Sequence, residues 1–384
     1  DNILFLVDGI TLRDPRNNEP LTSIPVSSVK EVSVERGGFS AEYGQVRSGI
    51  VNTISQEGSK IGYSGNMQVR VRPPAAKYWR GKGIKDVQDP YSFALRPFFD
   101  PDVAWTGTGN GAWDQWTMKQ YPTFIGWNKV SQTLCTDNDP NNDLTPEGAQ
   151  RAFMYETRKK IINDQPDWTI DAGGGGPIPF ISKNLGNLRF YTAIRTTRDV
   201  LLVPLTRPDY RDYNWTAQLV SDITPTMKLR ISGLLGKQYT IRHNWDATGI
   251  YYYPHFPNEI ANVASYIQAS SDLPGLFSNF NFSLSDVGQQ SLAAKFTHTF
   301  SSKTSYEVSV EHFRRDYFTR PTALRDTSLK YEILPGYYQD SNPMGYWPAG
   351  TNGVLLSGKM MHVSTARDNT VVNATTFKAD FMSQ

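Results

Sequence analysis

The sequence predicts a mainly β chain, folded as an antiparallel transmembrane β-barrel. Three observations carry this. Long segments alternate apolar and polar residues with period two, as a strand between lipid and a watery lumen must. The connections between those segments alternate short and long. No stretch of about 18 apolar residues exists, so no membrane-crossing helix is encoded, and the longest apolar run, Ile3 to Val7, is strand-sized. A membrane chain without such a helix must cross with strands, because only helices and closed barrels satisfy their backbone groups in lipid.

The opening segment, residues 1–58, is compact and turn-rich. Ile3-Leu4-Phe5-Leu6-Val7 reads as a fully buried strand, with Asp8-Gly9 as a turn after it. Residues 29–34 alternate, with Val29, Glu31 and Ser33 on one side and Lys30, Val32 and Val34 on the other. A Gly37-Gly38 break follows, and Ile50-Val51-Asn52-Thr53-Ile54 forms another short strand. Fewer than about 60 residues bury too little surface to stand alone comfortably. The segment therefore reads as a small α+β module packed against something larger.

Residues 59–384 read as up-and-down strands. In the first, Ile61, Tyr63, Met67, Val69 and Val71 fall on one face and Ser64, Asn66, Gln68, Arg70 and Arg72 on the other, until Pro73-Pro74 ends it. The second is expected over residues 167–172, before the Gly173 to Gly176 run, which fits a strand end or sharp bend. Phe190, Thr192 and Ile194 then alternate with Arg189, Tyr191, Ala193 and Arg195. Trp215, Ala217 and Leu219 alternate with Asn214, Thr216 and Gln218, and Leu229, Ile231 and Leu235 with Lys228, Arg230 and Ser232. Phe296, His298 and Phe300 alternate with Lys295, Thr297 and Thr299, and Tyr306, Val308 and Val310 with Glu307, Ser309 and Glu311. A last strand starts near Asn369.

Short turns are expected at residues 182–187, 224–226 and 301–303, and long connections at 74–166, 243–287 and 321–367. A moderate link, 200–209, falls on the long side. Bacterial outer-membrane barrels have short periplasmic turns and long extracellular loops, which sets the orientation. The competing reading, a soluble β-sandwich or propeller, calls for shorter strands and connections that do not segregate by length.

The long connections hold the candidate ligand contacts. Aromatic side chains crowd them: Trp105, Trp113, Trp116, Trp127, Tyr251, Tyr252, Tyr253, His255, Tyr346 and Trp347. Such rings stack on sugars and grip peptides, and they equally build loop cores and interface girdles. Of these, Trp105, Trp113, Trp116, Tyr251, Tyr252, Tyr253 and Trp347 are the ligand-binding candidates. Thr145-Pro146 starts a helix, with Thr145 as N-cap and Pro146 at the first helical position. Before it, Asp137, Asp139, Asn141 and Asp143 place oxygen ligands at alternate positions, as a calcium loop begins. However, Asn142 stands where that loop has glycine and Gly148 where it has its bidentate glutamate. A solvated turn is the plainer reading, and a calcium ion here would be structural. No other cofactor is expected.

Composition excludes several classes. The net charge of +2 gives no grip on nucleic acid, and aromatics at 12% suit strands and membrane girdles. The lone Cys135 forms no internal disulfide. The five histidines are scattered, and no zinc motif, nucleophile elbow or phosphate loop appears, so the chain is not expected to be an enzyme. The chain starts without an initiator Met or signal peptide and stops at Gln384 inside a strand pattern, so further sequence is expected on both sides.

The opening segment carries a resemblance. LFLVDGI at residues 4–10, then Ile24-Pro25, Arg36-Gly37, Tyr43-Gly44, Gly49 and Asn52-Thr53-Ile54, resemble the C-terminal half of the plug of TonB-dependent outer-membrane receptors. A single Gly49 after Ser48 stands where that family often has paired glycines. The match covers roughly the first sixth of the chain, by the positions of its motifs. The resemblance implies a 22-stranded barrel closed by its plug, of which residues 59–384 would supply about eight strands, and residues 1–58 half of the plug. It implies location in the bacterial outer membrane, with TonB and its inner-membrane energising complex as partners, and uptake of a large or scarce nutrient. Arg36 matches the family's plug arginine, which locks the plug to barrel carboxylates, here expected beyond Gln384; Arg47 is a weaker candidate for the same contact. The alternative is a structural or assembly subunit of a larger surface complex, with a surface lipoprotein or other outer-membrane subunits as partners. A soluble β-rich glycan-binding module is a third reading.

Overall fold

A computed structural model describes residues 3–8, 10–11, 24–35, 49–74, 105–107, 119, 126–140, 143, 145–148, 150, 165–201, 207–243, 282–320, 331–334, 337–339, 344–345, 360–361 and 367–383. The fold is mainly β, as the alternation requires.

Four strands make a small sheet: β1 (Ile3–Val7), β2 (Ile10–Thr11), β3 (Val29–Glu35) and β4 (Gly49–Ser55), in the order β2-β1-β4-β3. β1 runs parallel to β4, whereas β2 and β3 are antiparallel to their neighbours. Asp8, at a positive φ of 54°, turns the chain so that Val7 pairs with Ile10. Leu4, Leu6 and Ile50 form a small apolar core. The expectation of a fully buried β1 is corrected here: Leu4 and Leu6 are buried, and Phe5 and Val7 only partly so. Alternate residues of a strand point to opposite faces, and the two faces of β1 are not equally covered.

Eight strands make a large antiparallel sheet: β5 (Ser64–Arg72), β6 (Asp167–Pro177), β7 (Arg189–Val200), β8 (Asp209–Thr224), β9 (Met227–His243), β10 (Phe282–Ser301), β11 (Thr304–Arg320) and, later in the chain, β16 (Val371–Ser383). Their spatial order follows the sequence, a meander without crossovers. This is the open arc of a partial barrel. Its β5 edge was expected to begin earlier: Ile61 and Gly62 instead sit in a bend, where their N–H groups donate to the Ser59 hydroxyl.

The expected short turns are all present. Residues 178–188 join β6 to β7 through a 3-10 turn at Lys183–Leu185. There Gly186 adopts a φ of 64°, and a Cβ would lie 2.3 Å from the Asp222 carbonyl oxygen, so glycine alone fits. Pro225-Thr226 and Ser302-Lys303 make two-residue turns; Ser301 Oγ accepts the N–H groups of Lys303 and Thr304. The Gly173 to Gly176 expectation is corrected: β6 continues through the glycines to Pro177, paired on both sides as far as Gly175 and with β7 alone beyond it. Glycine weakens a strand but does not end one when a neighbour needs the room.

The long connections carry structure that periodicity did not reveal. Helix α1 (Trp127–Leu134) lies in the first, and the hairpins β12 (Tyr331–Leu334) with β13 (Tyr337–Gln339) and β14 (Met344–Gly345) with β15 (Met360–Met361) in the third. The Thr145 cap is present: Gly148 N–H donates to its hydroxyl at 3.0 Å.

The two faces of the large sheet are inverted relative to a water-soluble protein. One face carries Asp171, Asn214, Gln218, Gln289 and Glu311, all buried. The other carries Met67, Val69, Ile194, Trp215, Leu219, Ile231, Leu235, Leu292, Val308 and Phe377, all exposed. The pairing register puts each set on a single face across the strands. Buried polar and exposed apolar surfaces are the informative departures from ordinary burial, and here they alternate residue by residue. The buried polar face is the inner face, because the small sheet packs on it.

Candidate functional site, the seam between the two sheets

The small sheet reaches strands from β6 to β11. Val7 and Ile24 pack with Leu234 of β9 against the buried ring of Phe313 of β11. Polar contacts surround that apolar patch in two groups.

The first group grips the 3-10 turn Val26–Ser28. Asp171, inward on β6, accepts the N–H of Val26 at 2.7 Å and of Ser27 at 2.9 Å. These N–H groups begin a helical turn and have no partner within it, and a carboxylate supplies charge-assisted bonds to both. Tyr191, inward on β7, donates its hydroxyl to the Ser27 carbonyl at 2.7 Å. Gly173 makes the approach close: a Cβ there would stand 2.9 Å from the Tyr191 hydroxyl and 3.0 Å from Ser27 Oγ.

The second group is ionic and lies toward the short turns. Lys228 and Arg230 of β9 and Lys295 of β10 share the inner face, with Arg230 directly opposite Lys295. Like charges opposed across strands repel, so this arrangement needs anions beside it. Glu307 of β11 pairs with Lys295, and the small module supplies the others. Asp8 lies 2.9 Å from Arg230 Nη1, and its backbone carbonyl accepts from Lys295 at 3.3 Å. Ser55 holds the Asp8 carboxylate in place through its N–H, at 3.0 Å, and its hydroxyl.

Glu57, in the link between β4 and β5, receives Arg189 Nη2 at 2.7 Å, Lys228 Nζ at 2.6 Å and Arg230. Burial raises its pKa, but hydrogen bonds from Lys228 and Arg189 and the charges of Arg230 and Lys228 outweigh this and hold it at about 2. Arg189 is 4% exposed and also reaches Asp222 at 3.0 Å, which Lys60 meets at 2.7 Å. The Gln218 amide donates to the Gln56 carbonyl beside them. The link is thus clamped along residues 55–60.

Chemically, the seam holds one module against the other through ion pairs and hydrogen bonds. Among the described residues, no cluster of three or more His, Cys, Asp or Glu is placed to hold a metal ion.

Of the residues singled out from sequence, Arg36 and Arg47 lie outside the described residues, as do Trp113, Trp116, Tyr251, Tyr252, Tyr253 and Trp347. Trp105 is partly buried in a helical turn. Asp137, Asp139 and Asp143 are described and Asn141 is not; the Asp139 N–H donates to Asp137 Oδ1 at 2.8 Å, closing a local turn. The structure brings together a different set: Asp8, Glu57, Asp171, Arg189, Lys228 and Arg230. In this set the small module contributes the carboxylates Asp8 and Glu57, and the large sheet contributes all three cations and Asp171, so the ion pairs run in the reverse of the charge assignment expected for Arg36. One signal pointed to it: three inward cations on two adjacent strands near one end, two of them directly opposed.

No family model matches the chain, and no curated protein matches it. Among solved structures it is similar to the siderophore receptor PirA from Pseudomonas aeruginosa, at 12% identity and TM-score 0.39, over 86% of this chain and 38% of that one. It is likewise similar to the siderophore receptor PirA from Acinetobacter baumannii, at 12% identity and TM-score 0.42, over 99% and 36%. The chain thus spans well under half the length of either receptor.

Proposed function

We propose that the chain is part of an outer-membrane transporter that takes up a large or scarce nutrient, with the small module serving as half of a plug and energy delivered through TonB. One observation carries the reading: an antiparallel sheet whose outer face is apolar and exposed has its polar inner face occupied by a separate module held by ion pairs. A wall of this kind suits lipid on one side and a watery lumen on the other. A polar seam suits a module that must shift without unfolding the wall. The outward face of β8 from Tyr213 to Ile223, apolar except for Ser221, matches the roughly 9–11 residues of a tilted membrane strand. No bond is made or broken in this function. The partners are TonB with its energising complex and outer-membrane lipid.

The test is uptake by cells carrying or lacking the gene, with labelled iron chelates, cobalamin-like cofactors, glycans and peptides. One class should enter only when the gene is present, and its entry should stop when the proton gradient is collapsed. Uptake indifferent to the gradient, or no class dependent on the gene, overturns the proposal. The assembly-subunit reading draws on the long 74–166 connection, which folds its own helix α1. If deleting residues 105–162 abolishes a surface complex but leaves uptake intact, that connection serves assembly.

A further inference from the structure

Beside the ionic group of the seam lies a carboxylate that takes no part in it. Glu311, inward on β11, is 8% exposed. Among the described residues its carboxylate meets one partner, the Ser291 hydroxyl of β10, which donates to it at 2.9 Å. Buried charges are ordinarily paired, and a single hydroxyl leaves this one short of partners.

The pairing register sets two cations diagonal to it. Lys295 of β10 stands opposite Ser309, with Glu307 and Glu311 at equal offsets on either side. Diagonal neighbours of this kind lie within reach of a long side chain. Lys295 now pairs with Glu307, and its ammonium also donates to the Asp8 backbone carbonyl at 3.3 Å. Ala293, directly opposite Glu311, and Ser309 are too small to bar the way from the ammonium to Glu311. Lys378 of β16, on the other diagonal, is engaged by Asp380 at 3.2 Å.

We propose that Glu311 is a second seat for Lys295, taken when the small module leaves the wall. The inference rests on the reading above that this module shifts. In the docked state Asp8 neutralises Arg230 and accepts from Lys295, the two cations that oppose one another across β9 and β10. Departure of the module removes both contacts at once. An ammonium carries three N–H groups. The one released by Asp8 passes to Glu311, while Glu307 keeps another. The wall then sets two carboxylates of its own beside the opposed cations. Glu311 thus eases undocking without holding the docked seam together.

The full-length protein carrying Cys135→Ser and Ser28→Cys is reconstituted in bilayers and titrated with urea below the unfolding of the wall. Ser28 is buried and lines the cavity between the two sheets, so a maleimide reaches a thiol there only when the module parts from the wall. Glu311→Gln is isosteric and keeps an acceptor for Ser291; it should slow labelling at least fivefold. In a Lys295→Gln background the same substitution should change labelling less than twofold, because the seat has lost its occupant. Unchanged or faster labelling in Glu311→Gln overturns the inference. So does an equal slowing in the Lys295→Gln background, which would mean that the carboxylate acts through its burial alone or through Lys378. Either result leaves the transporter reading standing. A thiol at position 28 that stays unlabelled until the wall itself unfolds overturns both, since the module would then never part from the wall.

Discussion

Arg189 Nη2 lies 2.7 Å from a carboxylate oxygen of Glu57 and joins the first residue of β7 to the link between the two sheets. The arginine is almost wholly buried, so its charge depends on Glu57 and Asp222. Without the arginine, Glu57 keeps Lys228 and Arg230 and Asp222 keeps Lys60, so neither carboxylate is stranded. Arg189→Ala should lower the stability of the seam by about 1.5–3 kcal/mol, the contribution of charge-assisted hydrogen bonds. Glu57→Gln should cost less, because Asp222 still engages the arginine. Chemical denaturation of the two single variants and the double variant should show strong coupling; additive effects would mean that the contact contributes nothing.

The same carboxylate sets a pH dependence. The pKa of Glu57 in the folded protein, about 2, lies below its ordinary value near 4.5. Its contribution to stability is therefore complete above about pH 5 and fades as pH falls toward 2. The stability gap between the parent and Glu57→Gln should be constant from pH 5 to 8 and close progressively below that. A gap that widens on acidification would contradict the assignment.

Asp171 accepts two backbone N–H groups at the start of a helical turn. Asp171→Asn keeps an acceptor but loses the charge, and Asp171→Ala loses both. Hydrogen bonds to charged groups contribute about 1.5–3 kcal/mol each. Hydrogen exchange at the Val26 and Ser27 amides should quicken modestly in the first variant and by at least tenfold in the second, while the amides of β8 and β9 stay protected.

Gly236 sits between two side chains that meet across it. Gln289 Nε2 donates to Asn214 Oδ1 at 2.7 Å, passing over β9. A Cβ at position 236 would stand 2.3 Å from that Asn214 oxygen and 2.8 Å from Gln289 Nε2. Gly236→Ala should break the bond and leave buried amide groups unsatisfied, a loss of about 1–3 kcal/mol in thermal or denaturant unfolding. An unchanged midpoint would show that the bridge is dispensable.

The wall was legible in the sequence because its two faces meet different surroundings, and period-two alternation records that difference directly. The short turns were legible for a related reason: Pro225 and the Ser301-Ser302 pair interrupt the alternation at the strand ends. The Gly173 to Gly176 run was misread because glycine marks strand ends and close approaches alike. Only the position of Ser27 and Tyr191 against Gly173 shows which applies. The seam was largely hidden. Asp171 and Arg189 look like ordinary lumen-facing residues, and their partners come from a module more than a hundred residues away. Helix α1 escaped notice because its eight residues are too few to establish a period.

The central claim is that the outer face of the large sheet lies in lipid while the inner face does not. Spin labels placed one at a time along β9 from Lys228 to Leu235, in full-length protein with Cys135 replaced by serine and reconstituted in bilayers, test it most directly. Labels at 229, 231, 233 and 235 should collide with oxygen and be shielded from a water-soluble nickel complex, and labels at 228, 230, 232 and 234 should not show that pattern. Equal access of the nickel complex to both sets would contradict the account.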